Sequence, residues 1–395
     1  MKLNVSRLLL KTQLSLIVCV ALLDIFIPES HPSRNVVVYL QAIVLGIFLV
    51  YILFSYMVSG VILSVFHHSL LIFMALLVIC GLISEMPNRL PPMLYSTAPF
   101  FLFYYGSWKG YLTSNILLRI AVLLLCVFAL ESIIGVVTRA GRYSTWYIKA
   151  DNVGNSLMFL ILFFSLDLKK SQNIILMLVT YALVLISFKR GAMIAATTAL
   201  IIIIWQLIFN TDRVLQKSRK KLVYLTLSAV IFLLFIMIMY WDVLMFRFTG
   251  DTGGGSGRLS MWQMIVDNWK EGGLIRQIFG FGFFKVQDLM TEIRGVPYFA
   301  HSDWIQLLYD HGMLGVLIYF LLIIFYIAER KTVLLFAPEM FSSYIASISI
   351  WILKSAWSGV YLTKHSVLLF LIAGFILGFA YRKKYLCYEF TKQTL

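Results

Sequence analysis

The amino-acid sequence predicts an all-α polytopic membrane protein with about twelve transmembrane helices. Composition points to this class, because 61% of the 395 residues are hydrophobic and only 13% are charged, whereas soluble domains carry roughly 25% charged residues. Apolar runs of about 17–25 residues, each long enough to cross a bilayer as a helix, recur along the chain. Polar and glycine-rich sequence is concentrated in residues 247–315, where we expect the chemistry to lie.

The predicted spans follow one another closely, so we expect one integral membrane domain over residues 1–395, with a single long loop at 243–303 between the ninth and tenth spans. The spans lie near residues 8–27, 36–56, 67–84, 92–107, 113–134, 153–168, 172–188, 191–209, 222–242, 313–328, 341–361 and 364–381. The fourth is short and contains Pro92 and Pro99, which predicts a kink or a partly re-entrant segment. No small-residue cleavage site follows the first run, which we expect to remain as a span.

Basic residues indicate the orientation through the positive-inside rule. With the N-terminus inside, the inner loops hold basic clusters at residues 169–170, 213–221, 330–331 and 382–384. Both termini are therefore expected in the cytoplasm, and the long loop on the outer face. Topology and contact with anionic lipids explain these inner clusters.

The outer side also carries basic residues, which topology alone disfavours. They are Arg139, Arg142, Lys149, Lys189, Arg190, Arg247, Arg258, Arg276, Lys285 and Lys364. A long loop can be translocated to the outer side whatever its charge. The turn that holds Lys189 and Arg190 is short, so translocation of a long loop does not explain two basic residues there. Phosphate on a lipid would account for this pair, since arginine offers it a planar bidentate fork. Interfacial snorkelling of both cations is the alternative. Nucleic-acid binding is not expected, because the membrane divides the basic residues.

A glycine-rich run at residues 253–258 is either a flexible linker or the start of a helix. It is not a Walker loop, because no Gly-Lys-Ser/Thr follows. After it, apolar residues recur at helical spacing as far as Gly272: Leu259, Trp262, Ile265, Val266 and Trp269. This pattern predicts a helix lying at the outer interface, with Arg258 held at its start.

The segment Ala-His-Ser-Asp-Trp at residues 300–304 supplies the candidate base. Ser302 is a typical N-cap, so His301 should lie just ahead of a helix N-terminus. The positive end of the helix dipole would lower the pKa of His301 and keep its imidazole neutral near pH 7. A neutral imidazole can accept a proton from a sugar hydroxyl, or His301 merely orients the loop. Asp303 is either a first-turn acid favoured by the dipole or the group that orients a partner.

The helix that begins after Ser302 should end before the tenth span, because Gly312 interrupts it. Asp310 and His311 lie at this end, and we interpret them as structural residues.

No sequence pattern indicates a metal or another cofactor. The four cysteines show no paired spacing, and the chain contains no His-Glu-x-x-His and no Asp-x-Asp. Arginine and lysine around a leaving group would neutralise its developing charge without a metal. We therefore expect metal-independent chemistry.

Taken in order, these motifs resemble a known family. A Ser-x-x-Arg-Gly sequence ending at Gly191 opens a helix, Gly-Ser-Gly-Arg258 precedes Trp262, and Gly-Phe-Gly282 precedes His301. The order and the sidedness resemble the O-antigen polymerase and O-antigen ligase superfamily. The motifs cover residues 187–320, and the helix count and the loop position cover the whole chain.

The resemblance implies an inverting glycosyltransferase of C-type architecture in the bacterial inner membrane, acting on the periplasmic face. Its donor would be a glycan on undecaprenyl diphosphate. Its acceptor would be another lipid-linked repeat unit in a polymerase, or the lipid A core in a ligase. The chain departs from many members, which have His-Asn where it has His301 and Ser302, and Ser-Arg-Gly where it has Lys-Arg-Gly.

Family roles carry over by matching position. Arg190 and Arg258 would bind the diphosphate, and His301 would lie at the acceptor hydroxyl. Lys189 and Arg247 would add phosphate contacts. Three further residues are candidates for support: Asp303, Arg142 and Lys364.

Among the functions in this superfamily, the motifs resemble polymerases more than ligases, and a chain-length regulator fits a polymerase as a partner. The main alternative outside enzymes is a flippase for the lipid-linked unit, which would line a central cavity with charges. The sequence has few charged residues in the middle of its spans, with Glu131 and Lys354 the main ones. This favours an enzyme at the membrane interface over a flippase.

Overall fold

A computed structural model describes residues 5–26, 36, 39–40, 43, 46, 62–85, 87–140, 153–168, 170–187, 189–209, 257–361 and 364–394. All regular elements in these ranges are helical. The α-helices are α1 (Val5–Phe26), α2 (Val65–Ile83), α3 (Leu90–Thr97), α4 (Pro99–Trp108), α5 (Ser114–Ala140), α6 (Gly154–Phe164), α7 (Ser171–Ile186), α8 (Arg190–Phe209), α9 (Arg258–Glu271), α10 (Gly273–Phe279), α11 (Lys285–Arg294), α12 (Asp303–Ala328), α13 (Arg330–Phe336), α14 (Phe341–Trp357) and α15 (Val367–Thr394).

Several of these helices are apolar enough to cross a membrane. Within the described ranges, four are also long enough: Val65–Ile83, Ser114–Ile134, Arg190–Phe209 and Asp303–Phe336. The predicted class of helical membrane protein is therefore confirmed. The number of twelve spans and the outer position of the long loop stay predictions, because the predicted span 222–242 and most of 36–56 lie outside the described residues.

The proline-rich fourth span is divided into two helices. Helix α3 ends at Thr97 and α4 begins at Pro99, with Ala98 between them. Proline has no N–H for the helical ladder, and its ring crowds the preceding turn, which accounts for the division. The predicted interruption is therefore present.

The core is closed by α4 packing along α15. A Cβ added at Gly374 or Gly378 would overlap the backbone carbonyl of Phe100 or of Tyr104. Two glycines four residues apart on one helix face thus let the two backbones approach closely, as small residues do in membrane helix pairs. The hydroxyl of Ser107 adds a hydrogen bond of 2.9 Å to the carbonyl oxygen of Phe375. Helix α15 continues to Thr394, past the predicted end of the last span at residue 381.

The polar segment after residue 257 packs against the start of α12 and is not an extended linker. Phe281 N–H donates to the carbonyl oxygen of Tyr309, and Gly282 N–H donates to that of Asp310, each at 2.9 Å. The two segments cross at Gly280 and Gly312, and a Cβ added at either glycine would overlap backbone atoms of the other segment. Gly312 also has a φ of 65° and kinks α12, where the sequence predicts a helix break.

Asp310 fixes the same crossing from its side chain. One carboxylate oxygen accepts the Val286 N–H at 3.0 Å, and the other accepts the Phe284 N–H at 3.2 Å and the amide of Gln306 at 2.7 Å. These bonds satisfy donors at the N-terminus of α11. Asp310 therefore positions α11 against α12, which is the structural role that the sequence suggested.

Candidate functional site

Arg258 lies at the start of α9 and reaches the end of α14. Gly257 before it has a φ of 69°, a left-handed conformation that glycine adopts readily, and α9 follows directly. The Arg258 Nη1 atom donates to the carbonyl oxygen of Trp357 at 2.5 Å. The helix ends at Gly272 as the sequence predicts. On α9, Met261 and Ile265 are buried, whereas Leu259 is 57% exposed.

His301 is held in an unusual backbone conformation. Its φ is 53°, in a region that non-glycine residues rarely adopt. On one side of it, the carbonyl oxygen of Ala300 accepts the Trp262 indole N–H at 2.6 Å, and the Ala300 N–H donates to Gln306 at 3.0 Å. Strained residues of this kind persist where surrounding contacts fix them, and they cluster at functional sites.

Ser302 stands at the predicted N-cap position of α12. Its hydroxyl makes no capping bond and instead donates to the carbonyl oxygen of Ser355 at 3.4 Å. The start of the helix is therefore confirmed, but the serine hydroxyl connects the His301 turn to α14.

Asp303 follows Ser302 and is fully buried. Its carboxylate accepts the Val360 N–H, at 2.9 Å and 2.7 Å to its two oxygens, and the Tyr319 hydroxyl at 2.7 Å. Asp303 therefore lies in the first turn of α12 and also orients a partner, because its carboxylate connects the start of α12 to the chain after α14. We call residues 354–360 the α14 C-terminal turn; Arg258, Ser302 and Asp303 all bond to it.

Lys189 and Arg190 stand at the N-terminal end of α8, which packs along α14. Both residues are half-buried, and Arg190 is the first residue of α8. A side chain added at the next residue, Gly191, would lie 3.9 Å from Cβ of Ser358. The Ser-x-x-Arg-Gly motif therefore lies beside the α14 C-terminal turn.

Burial and charge act together on His301. Burial lowers the pKa of the His301 imidazole to about 4, and the positive charges of Arg258, Lys189 and Lys354 contribute in the same direction. The sequence predicted a lowered pKa from the helix dipole, whereas the structure gives desolvation and neighbouring cations as its causes. The imidazole is accordingly neutral near pH 7 and can accept a proton.

Lys354 was not among the site residues predicted from the sequence. It is 3% exposed, and its Nζ donates to the side-chain oxygen of Asn155 at 3.0 Å. A lysine inside an apolar run is a functional signal in itself, but the sequence places Lys354 only as a mid-span charge and does not indicate which site it joins.

The other predicted site residues are described in part or not at all. Arg247 and Arg142 lie outside the described residues. Lys364 begins a short 3-10 helix, Lys364–Ser366, and its side chain is likewise outside them. Within the described ranges, no group of three histidine, cysteine or acidic residues is arranged to hold a metal ion.

Comparison with known proteins agrees with the position of the motifs. No curated protein matches the chain. Residues 174–320 match the protein-family model Wzy_C, described as O-antigen ligase. That segment runs from α7 into α12 and contains Arg190, Arg258 and His301. The match confirms, over the segment that carries the motifs, the resemblance to the O-antigen polymerase and O-antigen ligase superfamily.

Proposed function

We propose that this protein is an O-antigen polymerase, which joins undecaprenyl diphosphate-linked repeat units on the periplasmic face of the bacterial inner membrane. The family match supports a glycosyltransferase of polymerase or ligase type. The observation that carries the proposal is the convergence of three cations, Arg258, Lys189 and Lys354, on a histidine that they and its burial keep neutral.

A diphosphate leaving group suits this arrangement of charges. Arg258 is fixed in direction by its bond to Trp357, and a fixed guanidinium can present two parallel N–H donors to phosphate oxygens. Arg190 begins the neighbouring α8 and Lys189 directly precedes it, and backbone N–H groups at this helix N-terminus also favour an anion. These groups would stabilise the charge that develops on the diphosphate as it leaves, and Arg247 would add to them.

His301 would act on the acceptor. The acceptor hydroxyl oxygen attacks the anomeric carbon of the donor's reducing-end sugar, and the bond from that carbon to the diphosphate oxygen breaks. The diphosphate leaves with the electron pair, and the hydroxyl proton passes to the neutral His301 imidazole. Direct displacement inverts the anomeric centre. The growing glycan moves onto the incoming unit, so the chain grows at its reducing end.

A ligase is the second candidate, because the matched family model is described as O-antigen ligase. The same cations and the same base would then act on a hydroxyl of the lipid A core. A flippase fits less well, because the described cations gather where α8 and α12 begin and α14 ends, at one end of the helices.

Reconstitution separates these candidates. Purified protein in liposomes is given only the lipid diphosphate-linked repeat unit, and the products are resolved by size. A ladder of lipid-linked oligomers supports the polymerase. Transfer that begins only when lipid A core is added supports the ligase. Movement of the lipid-linked unit across the bilayer without any new glycosidic bond contradicts the proposal that the protein is an enzyme.

A further inference from the structure

The first three residues of α6 each contact a different part of the molecule. A Cβ added at Gly154 would overlap the Ser187 hydroxyl and would lie 3.3 Å from Cβ of Lys189. The side-chain oxygen of Asn155 accepts a hydrogen bond from Nζ of Lys354 at 3.0 Å. Ser156 faces away from these cations, and its hydroxyl bonds to Nδ1 of His365 at 2.6 Å. One helical turn thus separates the cation cluster from a second polar region.

That second region is a cleft between α1, α3, α5, α6 and the start of α15. Its cavity volume is about 50 Å³, counted as space open to the centre of a water-sized sphere, and the cleft is partly open to its surroundings. Four polar side chains line it: Tyr95, Glu131, Ser156 and His365. Leu124 and Phe128 form part of its apolar wall. We call it the α6 cleft.

The lining of the α6 cleft suits a sugar ring. A carboxylate such as Glu131 accepts hydrogen bonds from hydroxyl groups, while serine, tyrosine and histidine can both donate and accept them. Aromatic and aliphatic side chains supply apolar area for the C–H faces of the ring, as in small-molecule pockets that combine apolar walls with a few polar groups. An ionisable side chain in a membrane span is itself a sign of a substrate path, and Glu131 lies in the span Ser114–Ile134.

We propose that the α6 cleft is a sugar-binding subsite, which holds one hydroxyl-bearing ring of a lipid-linked glycan while a diphosphate lies at the cation cluster. This inference rests on the proposed function and adds a substrate-binding region to it. The Asn155 and Ser156 side chains are adjacent in the chain but bond to opposite sides, so α6 sets the distance between the sugar and the diphosphate. The ring belongs either to the donor or to the acceptor.

Two substrates with separate roles decide between these sources. The donor is the repeat unit on polyprenyl diphosphate with a radioactive label. The acceptor is the same repeat unit on a C-glycosidic phosphonate, which cannot donate because it lacks the scissile C–O bond; lipid A core replaces it in a parallel series. The KM of each substrate is measured for wild-type protein, Glu131→Gln and Tyr95→Phe. Ser165→Ala is the matched control, because Ser165 bonds to Ser343, away from the cleft.

Loss of a hydrogen bond to a charged group should raise the KM of one substrate roughly tenfold in Glu131→Gln, with a smaller rise in Tyr95→Phe and none in the control. A rise for the labelled donor assigns the cleft to the donor sugar, and a rise for the phosphonate or the lipid A core assigns it to the acceptor. Unchanged KM values for both substrates overturn the subsite.

Binding of the same lipids in detergent is measured alongside transfer. Equal affinity of wild-type protein and Glu131→Gln for both lipids overturns the subsite even if transfer is lost. If the wild-type protein binds the lipids but transfers nothing to any acceptor, the proposed function fails. The affinity of Glu131→Gln then still decides whether the cleft binds sugar.

Discussion

Two regions build the candidate site, and they differ in how they are made. The motif segment, residues 174–320, supplies Arg258, His301 and the cations of α8. The supporting region, α6 together with the α14 C-terminal turn, supplies the Trp357 carbonyl to which Arg258 bonds and the buried pair Lys354 and Asn155. Charges in a polar segment are conspicuous in a sequence, whereas polar groups inside apolar helices are not.

The difference predicts two kinds of mutational effect. Changes to the cations and the histidine that the motif segment supplies should abolish transfer while the protein stays folded. Changes in the supporting region should lower transfer by less and should shift its pH dependence, because those residues act through His301 and Arg258. The following predictions test this division in order of expected size.

Arg258→Ala should have the largest effect. Loss of one charge-stabilising donor typically lowers the rate about 10²–10³-fold, and Arg258→Lys should also be strongly impaired because lysine lacks the planar fork. The measurement is the initial rate of transfer in liposomes together with the amount of protein in the membrane. Arg294→Ala is the control, because Arg294 is exposed and its guanidinium contacts Ser260, 3.3 Å away. An active Arg258→Ala protein would remove the diphosphate role.

His301 should be the next most sensitive position. His301→Ala is expected to reduce the rate about 10²–10⁴-fold through loss of the general base. His301→Gly separates chemistry from backbone strain, because glycine adopts the observed φ of 53° readily. The glycine variant should therefore unfold at a higher temperature than the alanine variant, while both remain inactive. Full activity in either variant contradicts the assignment of His301 as the base.

Local signals in the sequence were sufficient for much of the motif segment. The start of α9 after a glycine-rich run, its end at Gly272, the start of α12 after Ser302 and the break at Gly312 all follow from residue types within a few positions. The lowered pKa of His301 was also predicted in direction, although burial and neighbouring cations, not the helix dipole, account for it.

Contacts between distant residues could not be predicted in the same way. Arg258 bonds to a carbonyl 99 residues away, Lys354 bonds to Asn155 across 199 residues, and Asp303 bonds to Val360 across 57. The local sequence of an apolar helix does not predict which distant polar group will bond to a polar side chain on that helix. The supporting region is therefore visible only once α6, α8 and α14 are packed together.

Lys354→Gln tests the supporting region directly. Glutamine can still donate to Asn155 but carries no charge, so the fold should persist while the rate falls roughly tenfold or less. Positive charge on Lys354 helps to lower the pKa of His301, which is about 4. Removing that charge should raise the pKa, so the neutral base is lost at a higher pH as acid is added. In the pH–rate profile, the acid limb of Lys354→Gln should be shifted to higher pH than that of wild-type protein, and identical limbs would show that Lys354 acts only as a structural group.

Ser302 should show the smallest effect, although it occupies an N-cap position. Replacing a serine that caps a helix usually costs about 1 kcal/mol, but the Ser302 hydroxyl makes no capping bond and donates only a 3.4 Å bond to Ser355. Ser302→Ala should therefore change the unfolding temperature less than loss of a true cap would. Ser302→Asn, which restores the His-Asn pair that the superfamily resemblance implies, should keep the transfer rate within a few-fold of wild type. A large loss of transfer in Ser302→Ala would place this hydroxyl with the motif residues that act on substrate, instead of with the contacts that hold the His301 turn against α14.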